Sequence, residues 1–193
     1  MTATLLKPRI KIVKQGKQYT YDDLVRLTPP DNGNYELRDG KIIFMPSPLV
    51  PHQIASGNLH IELGAFAKKD KLGRILAAPM DVRFTETDIV QPDLMFIAND
   101  RLGIIQKIVE GAPDLVIEIK SESNTPKELG YKKFLYETGG VREYWLVDVE
   151  AKTVKQYLLL NEEFHLQHQL SSSDTLHSAV MEGFELLTAT IFE

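Results

Sequence analysis

The sequence predicts an α/β fold, a mixed β-sheet flanked by helices, and three observations lead there. From residue 50 onward the pattern runs helix, strand, strand, strand, helix, strand, an alternation that packs helices against a sheet. Residues 114–120 are apolar at every position from Leu115 to Ile117, which suits a central strand buried on both faces. The segment after it, Thr125-Pro126-Lys127-Glu128, carries a helix start: Thr125 can cap, Pro126 suits the first helical position and Glu128 can close a capping box.

The elements follow in order. Residues 1–18 read as a loosely ordered basic lead with Lys7, Arg9, Lys11, Lys14 and Lys17, and residues 19–193 as one domain. Thr20-Tyr21-Asp22-Asp23 opens a short helix, and the Pro- and Asn-rich residues 29–34 turn the chain. Asp39-Gly40 between two strand-like runs predicts an N-terminal hairpin, because a type I′ turn needs positive φ at both positions. Ile54, Leu59, Leu63 and Phe66 approximate helical spacing up to Gly73. Residues 74–84 and 89–97 read as two strands joined through Thr85-Glu86-Thr87-Asp88. Gly139-Gly140 ends the helix begun at Thr125, residues 142–149 form the next strand, and 153–160 with 163–170 form a hairpin around Asn161-Glu162. A mixed C-terminal segment occupies residues 182–192.

Composition narrows the function classes. Cysteine is absent, which excludes disulfides, thiolate metal ligands and cysteine nucleophiles. No apolar run approaches the roughly 18 residues of a membrane span, and residues 1–17 lack a signal-peptide apolar segment, so a cytoplasmic location without a membrane is expected. The net charge of −5 argues against coating nucleic acid through a broadly basic surface. It leaves room for carboxylates that hold a divalent cation, since the ion offsets their charge where phosphate must approach.

Two short motifs carry the chemistry, Pro92-Asp93 and Glu118-Ile119-Lys120. Pattern alone does not single them out: Pro-Asp also occurs at 30–31 and 113–114, and an acid two residues before lysine at Asp39/Lys41 and Glu150/Lys152. Context selects them. The others sit in turns or at strand ends, whereas Asp93 and Glu118 interrupt apolar strand runs, where a carboxylate is costly unless it is paired or binds a metal. Glu118 and Lys120 share a strand face with Cα atoms roughly 6.6 Å apart, while Asp114 lies roughly 13 Å from Glu118 and makes a poor co-ligand. Asp93 on a neighbouring strand can meet Glu118, and two carboxylates leave an ion such as Mg²⁺ positions for water and a phosphate oxygen. The plainer alternative pairs Asp93 and Glu118 with Lys120 and Arg83.

Taken together, Tyr35-Glu36-Leu37-Arg38-Asp39-Gly40, His52, Gln91-Pro92-Asp93, Val116-Ile117-Glu118-Ile119-Lys120-Ser121 and Gly140-Val141-Arg142-Glu143-Tyr144-Trp145-Leu146-Val147-Asp148 resemble the Uma-type family. Its members are named as endonucleases within the restriction-endonuclease-like PD-(D/E)XK superfamily, and the likeness spans about residues 20–192. The resemblance implies a restriction-endonuclease-like sheet with additional N- and C-terminal β-hairpins, and Mg²⁺ or Mn²⁺ as cofactor. It implies Asp93 and Glu118 as metal ligands, Lys120 and the helix lysine Lys132 as catalytic groups, and Glu36 and His52 as accessory ones. Ser121-Glu122 departs from the Ser-Pro of many relatives, and Lys120 is a lysine that many of them lack.

The function expected is metal-dependent hydrolysis of phosphodiester bonds in nucleic acid, with DNA the first choice and a homodimer expected by analogy. The alternatives are a catalytically silent nuclease-fold module for binding or assembly, and a hydrolase of small phosphoesters. His60, His165, His168 and His177 lack metal-ligand spacing and read as solvated, Tyr144 and Trp145 as core or interface residues. Lys68, Lys69, Lys71 and Arg74 read as a solvated helix end that could touch a nucleic-acid backbone.

Overall fold

A computed structural model describes residues 16–28, 34–121 and 124–193. Along the chain the elements are α1 (Tyr21–Leu27), β1 (Asn34–Arg38), β2 (Lys41–Met45), α2 (Val50–Lys69), β3 (Gly73–Ala77), β4 (Val82–Thr85), β5 (Asp88–Val90) and β6 (Leu94–Ala98). Then come β7 (Val109–Glu110), β8 (Leu115–Lys120), α3 (Pro126–Gly139), β9 (Glu143–Asp148), β10 (Thr153–Leu160), β11 (Glu163–Leu170), β12 (Thr175–His177) and β13 (Glu185–Leu187). Short 3-10 turns occupy Asn99–Ile104 and Thr188–Phe192. The chain divides into two compact units, one drawn from Met1–Ser47 with Thr85–Val90, the other from Pro48–Phe84 with Gln91–Glu193. Most of the basic lead and the turn at residues 29–33 lie outside the described residues.

In the smaller unit the local signals act as read. Thr20 caps α1 and exchanges hydrogen bonds with Asp23 in a capping box. Asp39 (φ 49°) and Gly40 (φ 66°) make the turn between β1 and β2, both in the left-handed region that a type I′ hairpin needs. A Cβ on Gly40 would come within 2.8 Å of Gln18, so the turn requires glycine twice over. β5 joins β1 through Leu37 and Ile89, and Tyr19, Leu24, Tyr35, Leu37 and Ile89 form the unit's own core.

The larger unit is built on a six-stranded sheet in the order β11-β10-β9-β8-β6-β3. β8 lies inside it, antiparallel to β6 and parallel to β9, which makes the sheet mixed. Alternation then divides β8. Leu115, Ile117 and Ile119 pack with Ala55, Leu59, Leu63 and Ala67 of α2 and with the C-terminal Leu176, Met181, Phe184 and Ile191. Glu118 is left on the opposite face, against α3. Full burial of each leucine on α2 stabilises the fold by about 2–3 kcal/mol, which is why one face of this helix holds its position. α3 begins at the predicted capping box of Thr125 and Glu128 and ends on Gly140 at φ 87°.

The structure departs from the sequence reading in two places. The runs 74–84 and 89–97 are not two strands but four, β3 and β4, β5 and β6, each pair interrupted at Pro79 or Pro92. Proline has no N–H to give a ladder, and β3 and β4 consequently join different sheets. β12 (Thr175–His177), which pairs with β13, lies before the C-terminal segment read at 182–192; its alternation covers three residues, too few to announce a strand.

One buried anion ties this C-terminal segment to the sheet. Glu143 on β9 is fully buried and accepts hydrogen bonds from Trp145 Nε1 (2.6 Å), Gln156 Nε2 (2.6 Å), Ser178 Oγ (2.9 Å) and the amides of Ala179 (2.9 Å) and Val180 (3.0 Å). Trp145 is therefore a core residue, its ring 6.3 Å from that of Phe184. Glu143→Ala is expected to destabilise the protein by more than about 3 kcal/mol, read by urea denaturation, since five donors lose their acceptor in the interior. Gly73→Ala, whose Cβ would sit 2.1 Å from the Ile97 carbonyl oxygen, is expected to lower stability by about 1–3 kcal/mol in the same assay.

Candidate active site

The site forms where β6 runs out beside β8. The paired register of these strands ends at Leu94 and Ile117, and Pro92 cannot extend it. The Asp93 side chain takes over: its Oδ2 accepts the amide of Ile119 at 2.7 Å, where a strand would have offered a carbonyl. Asp93 is thereby held beside the Glu118-Ile119 peptide. The same Oδ2 lies 3.3 Å from Nε2 of His52, in the first turn of α2 behind Pro51.

Glu118 is sealed under α3. Lys132 donates to both of its oxygens, at 2.9 and 3.0 Å, and the Tyr136 hydroxyl donates to Oε1. Glu118 is 6% and Lys132 5% exposed, so this is a buried ion pair whose loss on one side would strand a charge. Lys132 and Tyr136 stand four residues apart on one helix face, the spacing by which α3 delivers both to one carboxylate.

His52 is mostly removed from water, which favours its neutral form. The hydrogen bond to Asp93 and the charges of Asp93 and Glu118 outweigh that and hold its pKa above the ordinary value. Its Nδ1 is buried without a partner among the described residues. Tyr144, next along the face, has its ring 5.5 Å from that of Tyr136 and a buried hydroxyl that is likewise unpartnered. Burial, then the charges of Glu118, Tyr157 and Asp93, pushes its pKa well up, so it stays a neutral hydroxyl.

Lys120 is differently placed. Its amine donates to Asp148 at 2.7 Å, on the residue opposite it in the parallel pairing of β8 with β9. Arg83 pairs with Glu110, at 2.7 and 2.8 Å. The simple ion pairs of Asp93 and Glu118 with Lys120 and Arg83 are thus replaced by partners from two helices. Glu36 lies in the smaller unit, fully buried, with its Oε2 accepting from Arg38 Nε at 2.7 Å. Asp114 is occupied by Arg101 (2.8 Å), Arg142 (3.2 Å) and the Ala98 amide (2.9 Å). His60, His165, His168 and His177 are exposed, as are Lys68, Lys69, Lys71 and Arg74. Tyr136 and Asp148 were not singled out from sequence. Tyr136 could have been found from its spacing to Lys132, but Asp148 needs the strand register.

Among the described residues no three His, Cys, Asp or Glu side chains assemble as a metal-binding group. The donor set still fits an ion that keeps most of its waters. Asp93 and Glu118 supply hard oxygens, and Mg²⁺ is usually held by one or two carboxylates, with water and phosphate completing the shell. Asp93 Oδ1 accepts no hydrogen bond from the described residues, and the position between the Glu118 oxygens already stabilises a cation, the Lys132 ammonium.

The Lys120–Asp148 pair has a pH signature. Partial burial raises the Asp148 pKa, but the Lys120 hydrogen bond and the amides of Ala151 and Glu150 outweigh it and hold the carboxyl below its ordinary 3.8. Its stabilisation is therefore present above pH 3.8 and lost as pH falls through the lower folded value. The Lys120 pKa is raised by the same bond, so its share is lost only as pH climbs through that raised value. Asp148→Asn is expected to flatten the acid limb of a thermal-stability profile and leave neutral-pH folding intact.

The Uma2 family model, described as "Putative restriction endonuclease", matches residues 21–190. Five solved chains match. One is the crystal structure of "a putative nuclease belonging to DUF820" from Anabaena variabilis ATCC 29413, with a TM-score of 0.75 and 19% identity over 90% of this chain and 97% of that one. At that identity the likeness shows a shared fold, the nuclease-like α/β architecture expected from the motifs. No curated protein matches the chain. No helix among the described residues is long and apolar enough to cross a membrane.

Proposed function

The chain belongs to the Uma2 family, described as "Putative restriction endonuclease", and on that footing we propose that it is a Mg²⁺-dependent (or Mn²⁺-dependent) endonuclease. Its substrate in this reading is nucleic acid, with DNA the first choice, and its bond the phosphodiester. The observation that carries the proposal is the hydrogen bond that holds Asp93 on the Ile119 amide, one residue from Glu118, at the end of β6. Each carboxylate is seated by the fold, one by the Ile119 amide and one by Lys132 and Tyr136.

In this reading Asp93 and Glu118 hold the ion, which when bound would lower the pKa of a coordinated water and offset phosphate charge. Lys132, on the buried face of α3, stabilises charge developing on the phosphoryl oxygens, and Lys120 orients the attacking water after leaving Asp148. His52 supports Asp93 through Nε2. Glu36 adds no observation to this reading. A cytoplasmic homodimer, one copy per strand of a duplex, accompanies the proposal.

A second reading, a nuclease fold used for binding or assembly without cleavage, draws on the net charge of −5 and on Glu118 being already clasped by Lys132. Cleavage of plasmid and of labelled DNA and RNA, with and without Mg²⁺ or Mn²⁺, separates the two. Asp93→Asn is the variant to use, because it keeps an acceptor for the Ile119 amide. The endonuclease reading expects a cleavage loss of roughly 100-fold or more in a folded variant. Ion-dependent cleavage equal to wild type in Asp93→Asn would overturn the site assignment, and no cleavage by the wild type would favour the silent module.

A further inference from the structure

We propose that Lys132 is an internal counter-ion that competes with a divalent cation for Glu118, so that ion binding is an exchange: the metal takes a carboxylate oxygen and the ammonium is released from it. The inference rests on the metal reading above and concerns what sets the affinity of that site.

Two groups from α3, Lys132 and Tyr136, hold Glu118. The Lys132 ammonium reaches both oxygens, at 2.9 and 3.0 Å, with both side chains almost wholly out of water. A carboxylate so placed is already neutralised, and a second cation can use its oxygens only by displacing or sharing them with the first. Two cations around one buried carboxylate repel each other strongly, because little water screens them. Tyr136 differs. Its hydroxyl donates to Oε1 but carries no charge, so it orients the carboxylate whichever cation is present. Asp93, by contrast, has no lysine or arginine on it among the described residues, and its Oδ1 is open. The geometry therefore places the resistance to ion binding at Glu118 and the ready ligand at Asp93. The exchange also gives Lys132 a second position: released from Glu118, its ammonium is available to a phosphate bound at the ion.

The test compares Mn²⁺ binding by calorimetry and Mn²⁺-dependent thermal shifts in the wild type, Lys132→Met and Tyr136→Phe. Lys132→Met keeps the length of the side chain and removes its charge. It is expected to bind Mn²⁺ roughly tenfold tighter or more than wild type, and to melt lower than wild type without ion. Added Mn²⁺ is expected to raise its Tm by more than it raises the wild type's, because the ion replaces the missing cation. Tyr136→Phe, which loses an orienting donor and no competitor, is expected to bind no tighter than wild type. A purely structural role for Lys132 would weaken or leave unchanged the binding in both variants, and that result overturns the proposal. If Lys132→Met does not fold, Lys132→Gln, which keeps a donor toward Glu118, is read against the same outcomes. Ion-dependent cleavage by the wild type with no gain in affinity in the lysine variants sinks this inference and leaves the endonuclease reading standing. Tight Mn²⁺ binding by Lys132→Met, with no cleavage by the wild type, does the reverse.

Discussion

A carboxylate on an interior strand, covered by a helix, stays charged only if a cation or several donors meet it there. Glu118 is in that position, and much of the larger unit follows from how the need is met. β8 must run between β6 and β9 for its apolar residues to be buried, and the alternation of the strand then turns Glu118 toward α3. The helix must in turn bring Lys132 and Tyr136 to one spot, which fixes its rotation and height over the sheet. Replacing such a pair by apolar residues is often neutral or stabilising, so its presence speaks for a role other than stability. Asp93 is held close by, through its bond to the next amide along β8.

Charge is managed differently at the other acidic positions. Asp114, with Arg101 and Arg142, is a salt bridge linking β8 to the segments beside it. Glu143 is satisfied by five neutral donors. Around Asp93 and Glu118 the fold brings two carboxylates together with a lysine, a histidine whose Nδ1 is unpartnered among the described residues and a tyrosine hydroxyl in the same condition. Two of the four buried side-chain atoms without a partner among the described residues, His52 Nδ1 and the Tyr144 hydroxyl, lie here; the others are the Tyr35 hydroxyl and Thr188 Oγ1.

Much of this was legible in the sequence because the signals are local. Capping at Thr20 and Thr125, the Asp39-Gly40 turn, the Asn161-Glu162 hairpin and the apolar run of β8 depend on backbone geometry within a few residues. Asp93 and Glu118 stood out because each interrupts an apolar run. The partners were harder to read. That Lys120 would meet Asp148 follows from the parallel register of β8 and β9, and register is a property of two distant segments. That Asp93 would bond the Ile119 amide depends on where β6 stops, which Pro92 influences without a pattern to announce it. The division of two expected strands into four had its signal in Pro79 and Pro92, given too little weight beside the hydrophobic pattern around them.

The anion at Glu143 has a consequence for the order in which the molecule can be made. Its acceptors' partners at Ser178, Ala179 and Val180 lie 35, 36 and 37 residues further along the chain. During synthesis β9 leaves the ribosome before them. Until they arrive, its carboxylate lacks three of the donors that let it be buried, so the strand has reason to stay hydrated. Closure of the sheet around β9 thus waits on residues near the end of the chain, a long-range contact of the kind that slows folding. Until then the sheet edge at β9 stays open, and unpaired strand edges are where a partly folded chain is exposed to aggregation.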